Sequence, residues 1–352
     1  MTASVSEVAS EPQANVEVET IQEGLTTVMD RTNVILHFIL PQWAYKLPIA
    51  YLNSLHRTWT WVEKYMHTSA ASRARELNKT SYDDEDNSVA VGPQDVFSRL
   101  VSASEGLNKH SLTVNEVIGN TFLLMFAGHE TTAMVLAETI TLLALYQDEQ
   151  EKAYQEIMSV FKNNRDPSLE ELEKLKFVLA CFIEASRLYR KPFPSTYVAS
   201  TELKSFKAPG PLLTRIMPED IVVHVERPSP TNVVLKKGAS VFIDMISIHR
   251  NPHTFPDANK FQPSRWADLP EHRYTTFGSG PRACLGRKFA QIEALTMLSC
   301  LLRDWKVNVV LRNGETKKDY EERVMGNAGM PGMTFGVIGE MEVQFTRRTF
   351  QG

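Results

Sequence analysis

The segment FGSGPRACLG, residues 277–286, holds one cysteine among three glycines and a proline. The glycines allow tight turns and a close approach of the backbone to a ligand, because glycine has no Cβ. They are Gly278, Gly280 and Gly286. Arg282 adds a permanently charged guanidinium suited to a carboxylate. A helical pattern follows, so Cys284 lies just before a helix N-terminus, where the helix dipole favours the thiolate.

A thiolate in this position has three chemical uses: nucleophile, redox partner or metal ligand. The absence of a second cysteine nearby excludes a Cys-x-x-Cys redox site. His249 and His253 are separated by a proline that prevents a shared helical face for zinc. A Cys–His nucleophile stays open, although no feature selects its histidine. A lone thiolate on a glycine loop, with Arg282 for a propionate, fits haem iron best.

Upstream of this loop, three charged residues are placed to form one network. Glu184 and Arg187 stand at i and i+3 in the helical pattern KLKFVLACFIEASRLYR, which follows a Ser168–Glu171 capping box. Their apolar surroundings predict burial, and a buried ion pair needs further hydrogen-bond partners. Arg265, in the non-helical segment FQPSRW, is the candidate third member.

A long helix predicted from residue 114 to about 146 is apolar almost all round, except at AGHETT. This pattern predicts a buried central helix with a polar notch. Ala127 and Gly128 leave room for a flat group, while Glu130 and Thr131 can loosen the hydrogen-bond ladder and hold water. The alternative is structural: Thr131 bonds back to its own helix and Glu130 pairs with a distant base.

Composition narrows the class of protein without identifying it. The chain has 352 residues, 43% hydrophobic and 23% charged, as in soluble globular proteins. A net charge of −4 gives no indication of nucleic-acid binding. Three cysteines argue against a disulfide framework and for an intracellular location. The start lacks the pattern of a secretory signal, and the early apolar run VILHFIL is too short for a transmembrane segment.

The order of patterns predicts a mainly α fold with a small β part, whose strands lie after residue 195 and near the C-terminus. Residues 1–20 are polar and predicted to be disordered. A segment at about 78–93, rich in turn formers and charges, is predicted to be an exposed loop.

These motifs resemble the cytochrome P-450 superfamily of haem-thiolate monooxygenases, of the eukaryotic microsomal type. FGSGPRACLG resembles its haem-binding signature, AGHETT its oxygen-activation helix, EASR its Glu-x-x-Arg pair and FQPSRW its meander arginine. Four motifs in the expected order make a specific signal. The resemblance covers residues 21–352 as one domain of the cytochrome P-450 fold, and implies that the N-terminal part of that fold, including its membrane anchor, is missing.

The resemblance also implies roles for single residues. Cys284 would be the axial thiolate of haem b, whose electron donation favours O–O cleavage. Phe277 would pack near the cysteine, and Arg282 would hold a propionate. Glu130 and Thr131 would guide protons to the distal oxygen. Residues that make room for haem and dioxygen would be Gly278, Gly280, Gly286, Ala127 and Gly128. The structural network would comprise Glu184, Arg187 and Arg265.

The implied function is insertion of one atom of dioxygen into a small apolar substrate, with electrons from an NADPH-dependent reductase. Family resemblance suggests the cytoplasmic face of the endoplasmic reticulum. Two alternatives are an inactive truncated fragment or isoform unable to hold haem, and an enzyme that rearranges peroxides without dioxygen. The Glu130–Thr131 pair argues against the latter.

Overall fold

The structure, a computed structural model, forms two compact units, Met1–His129 and Glu130–Gly352. The division falls within one long helix. The residues that the structure describes are 20–83, 95–105, 111–161, 166–188, 212–226, 228–270, 273–326, 328–329, 336–337 and 340–349. The segment predicted to be disordered, residues 1–20, lies outside them apart from Thr20, whose hydroxyl caps the first helix together with Glu23.

Helices account for most of the described chain. In chain order the α-helices are α1 (Ile21–Met29), α2 (Arg31–Ile39), α3 (Ala50–Asp83), α4 (Val96–Glu105), α5 (Val114–Leu145), α6 (Gln147–Val160), α7 (Leu169–Leu172), α8 (Lys176–Leu188), α9 (Met245–His249), α10 (Arg287–Asp304) and α11 (Lys317–Gly326). Short 3-10 turns lie at Gln42–Lys46, Pro263–Ala267 and Gly280–Arg282.

The strands form small antiparallel pairs. They are β1 (Leu212–Ile216), β2 (Ile221–Val225), β3 (Thr231–Leu235), β4 (Ser240–Asp244), β5 (Trp305–Val309), β6 (Ala328–Gly329), β7 (Gly336–Val337) and β8 (Val343–Arg347). β1 pairs with β4, β2 with β3, β5 with β8 and β6 with β7. The predicted mainly α fold with a small β part is confirmed. Within the described residues, none of the helices combines the length and apolar character that a membrane crossing requires.

In the first unit, α3 continues through Asp83, into the segment predicted to be an exposed loop at about 78–93. The turn formers Gly92 and Pro93 come well after this point, and Arg73 pairs with Glu76 one turn along the helix at 2.8 Å. The helix therefore extends further along the chain than the prediction of an exposed loop from about residue 78 allowed. The later part of that segment lies outside the described residues.

Asp95, the residue immediately before α4, makes a contact in the first unit whose strength depends on pH. Its carboxylate accepts hydrogen bonds from the Ser98 backbone N–H and from Arg73 Nη2, both at 2.8 Å. Burial alone would raise the pKa of Asp95, but the hydrogen bonds from Ser98 and the Arg73 charge outweigh it and lower the pKa to about 2. The stabilisation is therefore complete above pH 3.8 and is lost as the pH falls toward about 2.

We expect Asp95→Asn to lower the free energy of unfolding at neutral pH and to flatten its dependence on pH in this acidic range. The asparagine cannot titrate and keeps only part of the capping interaction. Urea unfolding of both proteins at a series of pH values measures the difference. An identical pH slope for the two proteins would contradict the assignment.

The second unit is built around a core shared by α6, α8 and α10. Gln150 of α6, buried in this core, fastens β5 to it: its side-chain amide donates to Val307 O at 2.8 Å, and its Oε1 accepts from Val307 N at 3.0 Å. Cys181 is fully buried in this core, and burial raises the pKa of its thiol. This core carries the residues of the candidate site on α8 and at the start of α10.

The helix expected to run on from Ser168 is divided into α7 and α8. The predicted capping box is present, with Glu171 N–H donating to Ser168 Oγ at 3.3 Å. α8 then starts anew because Glu156 of α6 accepts from the Phe177 and Val178 backbone N–H groups at 2.9 Å each. A carboxylate from another helix thus satisfies the free amides of the new N-terminus.

Candidate active site

The loop around Cys284 is held in a closed turn by its own backbone. The Cys284 N–H donates to Phe277 O at 2.7 Å, and the Gly278 N–H donates to Thr275 O at 2.8 Å. Gly278 and Gly280 have φ values of +70° and +71°, in the left-handed region that strains other residues. The loop therefore needs glycine at these two positions to bring the cysteine back toward Phe277.

Aromatic packing anchors this loop to the second unit. Phe277 packs against the core, and its ring meets Tyr274 edge-on with ring centroids 5.6 Å apart. The Tyr274 hydroxyl lies 3.1 Å from Ser186 Oγ on α8. On the other side, the Arg287 guanidinium lies 6.0 Å from the centre of the Phe277 ring. Phe277 thus connects the cysteine loop with α8 and with the first turn of α10.

The surface beside Cys284 fits the haem group that the resemblance implies. Cys284 is exposed, two residues before the Gly286 N-cap of the 18-residue helix α10. Leu285 and Phe289 are 88% and 67% exposed beside it, and Arg282 is exposed in the preceding 3-10 turn. A thiol, an apolar surface and a cation placed together match the iron, the flat ring and the carboxylates of haem.

Gly286 also contributes to this surface. A Cβ at this position would lie 3.9 Å from the Cys284 Sγ, in ordinary van der Waals contact. Its φ of −83° is accessible to any residue, so backbone conformation does not require glycine here. A residue larger than glycine at position 286 would instead occupy the space beside the Cys284 sulfur.

Glu184 is the centre of a buried hydrogen-bond network in the second unit. Its two oxygens accept from Arg187 Nε and Nη2, each at 2.8 Å, and Oε1 also accepts from Arg265 Nε at 2.9 Å. Glu184 and Arg187 are fully buried, and Arg265 is 9% exposed. The structure thus brings together the three residues proposed from the sequence. Two further donors, which the sequence analysis missed, are the Trp266 indole N–H at 2.8 Å and the Gln262 backbone N–H at 3.1 Å.

The two arginines use their other N–H groups to hold backbone segments. Arg187 Nη1 donates to His249 O at 2.9 Å and to Ala258 O at 2.6 Å. Arg265 Nη1 donates to Pro256 O at 2.9 Å. Both charges therefore have several acceptors, as buried guanidinium groups require. The network ties α8 to the irregular chain that leads to the cysteine loop.

The polar notch lies within an unbroken helix, since α5 is continuous from Val114 to Leu145. Ala127 and Gly128 are exposed, and a Cβ at Gly128 would meet nothing within 4 Å. Thr131 is exposed and Glu130 is half-buried, so the prediction that the notch is part of a buried helix is wrong for this stretch of α5. Ala127 and Gly128 belong to the first unit, whereas Glu130 and Thr131 belong to the second together with the cysteine loop.

The sequence profile of the cytochrome P-450 family matches residues 6–197 and 206–330 of this chain. Cytochrome P-450 monooxygenase 124 of Postia placenta is 33% identical over 293 residues, which cover 81% of this chain and 51% of that protein. Cytochrome P-450 4g15 of Drosophila melanogaster is 28% identical over 68% of this chain and 38% of its own length.

A mammalian relative matches a shorter part of the chain. Cytochrome P-450 4V2 of Rattus norvegicus is 33% identical over 189 residues, covering 51% of this chain and 31% of that protein. The chain thus spans about half or less of the length of these relatives.

Proposed function

Because the chain belongs to the cytochrome P-450 family, we propose that it is a haem-thiolate monooxygenase that oxidises a small apolar substrate. Its electrons would come from a reductase, as is general in the family. The observation that carries the proposal is the exposed Cys284 on a glycine-held turn before α10, beside exposed Leu285 and Phe289. This arrangement supports a large apolar ligand bound through sulfur.

Three features of the chain would bind haem b. Cys284, two residues before the N-cap of α10, would supply the thiolate ligand. Arg282 would bind a propionate, and Leu285 and Phe289 would cover part of the ring. When bound, this group supplies the oxygen chemistry, and a thiolate ligand favours cleavage of the O–O bond.

Two residues of α5 would handle protons. The Thr131 hydroxyl can donate one hydrogen bond and accept another, so it can hold a water and pass a proton through it. The Glu130 carboxylate, one residue earlier, can accept a proton from solvent and release it. Ala127 and Gly128 would leave open space beside these groups, since neither has a side chain beyond Cβ.

The most direct test of this function is spectroscopic. The full chain would be expressed with haem supplied, reduced, exposed to carbon monoxide and scanned across the Soret region. A strongly red-shifted band, typical of thiolate-bound haem, is the expected result. Well-folded protein that contains no haem would overturn the proposal and favour the alternative of an inactive fragment.

Thr131→Ala is expected to keep haem while separating consumption of reductant from formation of product. Loss of the hydroxyl removes one group that holds water for proton delivery, so reducing equivalents would end in peroxide. Peroxide and oxidised substrate would be measured against reductant consumed, with Thr132→Ala, a change at a buried neighbour, as the control. Normal coupling in Thr131→Ala would remove Thr131 from the proposed role.

A further inference from the structure

An apolar cavity of about 350 Å³ lies within the first unit, among α1, α3, α4 and α5. Its apolar walls include Leu25 of α1, Met66 of α3, Leu100 of α4 and Met125 of α5. Pockets for small molecules in proteins start at about 300 Å³, so the volume is sufficient for one such molecule. The two methionines are flexible side chains that can adapt to the shape of a ligand.

None of the residues proposed for oxygen chemistry, Ala127, Gly128, Glu130 and Thr131, is among the described residues that line the cavity. An α-helix turns by about 100° per residue, so Ile118, Thr121 and Met125 lie on one face and line the cavity. The residues that line the cavity are therefore a different set from those proposed for the active site.

The lining determines the chemistry of the ligand. None of the described residues that line the cavity carries a charge, so a charged ligand would lose its hydration without gaining a partner among them. The lining residues that carry a hydroxyl group are Tyr65 and Ser69, four residues apart on one face of α3, and Thr121 on α5. Thr121 Oγ1 donates to Val117 O at 2.8 Å and can still accept a hydrogen bond.

From this lining we propose that the first unit binds a neutral, largely apolar small molecule that carries one hydrogen-bonding group. The apolar part of the molecule fills the space between the four helices, and its polar group faces the hydroxyls of Tyr65, Ser69 and Thr121. Because such a ligand binds where four helices meet, it binds the folded unit and not the unfolded chain, so the stability of the unit increases as the ligand concentration rises. The site needs no haem, so its test is independent of the proposed function.

The probe for this site is N-phenyl-1-naphthylamine, a neutral fluorophore with one N–H group whose emission rises in apolar surroundings. Titration into the full chain without added haem is expected to give a saturable rise that corresponds to one site. The midpoint of thermal unfolding is expected to rise with the concentration of the probe. A rise that is not saturable, or no rise, would overturn the proposal.

Paired variants locate the bound probe. Ser69→Phe fills the cavity from α3, whereas Thr68→Phe makes the corresponding change one residue earlier at an exposed position outside the lining. We expect Ser69→Phe to weaken binding by at least about tenfold, and Thr68→Phe to leave it unchanged. Equal affinity in the two variants would place the probe elsewhere and refute the site.

Two more variants keep the test decisive if Ser69→Phe does not fold. Leu100→Trp fills the cavity from α4 and is expected to have the same effect as Ser69→Phe. Tyr65→Phe keeps the ring and removes only the hydroxyl, so binding should weaken about twofold to tenfold. Folding of each variant is checked by circular dichroism. Unchanged binding in folded Leu100→Trp would equally reject the proposal.

Discussion

Glu184→Ala is expected to destabilise the second unit by about 3–5 kcal/mol, enough to unfold many proteins of ordinary stability. The side chain is fully buried and accepts five hydrogen bonds. Its loss leaves Arg187 and Arg265 as buried cations without their shared carboxylate. Urea unfolding of purified protein, or its recovery in the soluble fraction, measures the effect.

A matched control separates this effect from the loss of any carboxylate. Glu173 forms an ion pair with Lys288 at 2.7 Å, and its side chain is 52% exposed. Glu173→Ala should leave the unfolding curve unchanged within error, because exposed ion pairs contribute little. Glu184→Gln keeps the shape but not the charge and should also be strongly destabilised. A stable Glu184→Ala protein would show that the network is dispensable for folding.

Cys284→Ser is expected to abolish the red-shifted band of the reduced carbon monoxide complex completely. Serine occupies nearly the same space, but its hydroxyl stays protonated and is a poor ligand for haem iron compared with a thiolate. Because Cys284 is exposed and its backbone contact with Phe277 does not involve the side chain, the unfolding curve should change little. The experiment thus separates loss of the ligand from loss of the fold.

Cys300→Ser provides the matched control, because it removes a different thiol, at a half-buried position on α10, the helix that follows Cys284. Its carbon monoxide spectrum should match that of the unmodified protein. If Cys284→Ser kept the full red-shifted band, a different residue would have to ligate the iron. The assignment of Cys284 would then be wrong, whatever the family.

Local patterns were sufficient to predict several parts of the fold. The capping box at Ser168 and the mainly apolar course of α5 depend on residues within a few turns of one another. Helix periodicity likewise placed Glu184 and Arg187 on one side of α8. The glycine turn before α10 follows from the positive φ values of Gly278 and Gly280, which few other residues adopt without strain.

Such local patterns could not predict contacts between distant parts of the chain. The break between α7 and α8 depends on Glu156, which reaches from α6 to cap the new helix. Trp266 and Gln262 complete the Glu184 network. Neither is charged, so the sequence indicated only Arg265, which lies between them, as a partner of Glu184. These partners become identifiable only when separate segments are packed side by side.

The four ordered motifs, read along the chain, were enough to identify the family, because each depends on residues close together in sequence. Tertiary structure alone revealed the cavity of the first unit, which Tyr65, Leu100 and Thr121 line from three different helices. Tertiary structure also established that Glu184 is fully buried with five donors around it. The physical reason is that spacing within a helix determines which neighbours share a face, whereas cavities and buried charges depend on how several elements pack.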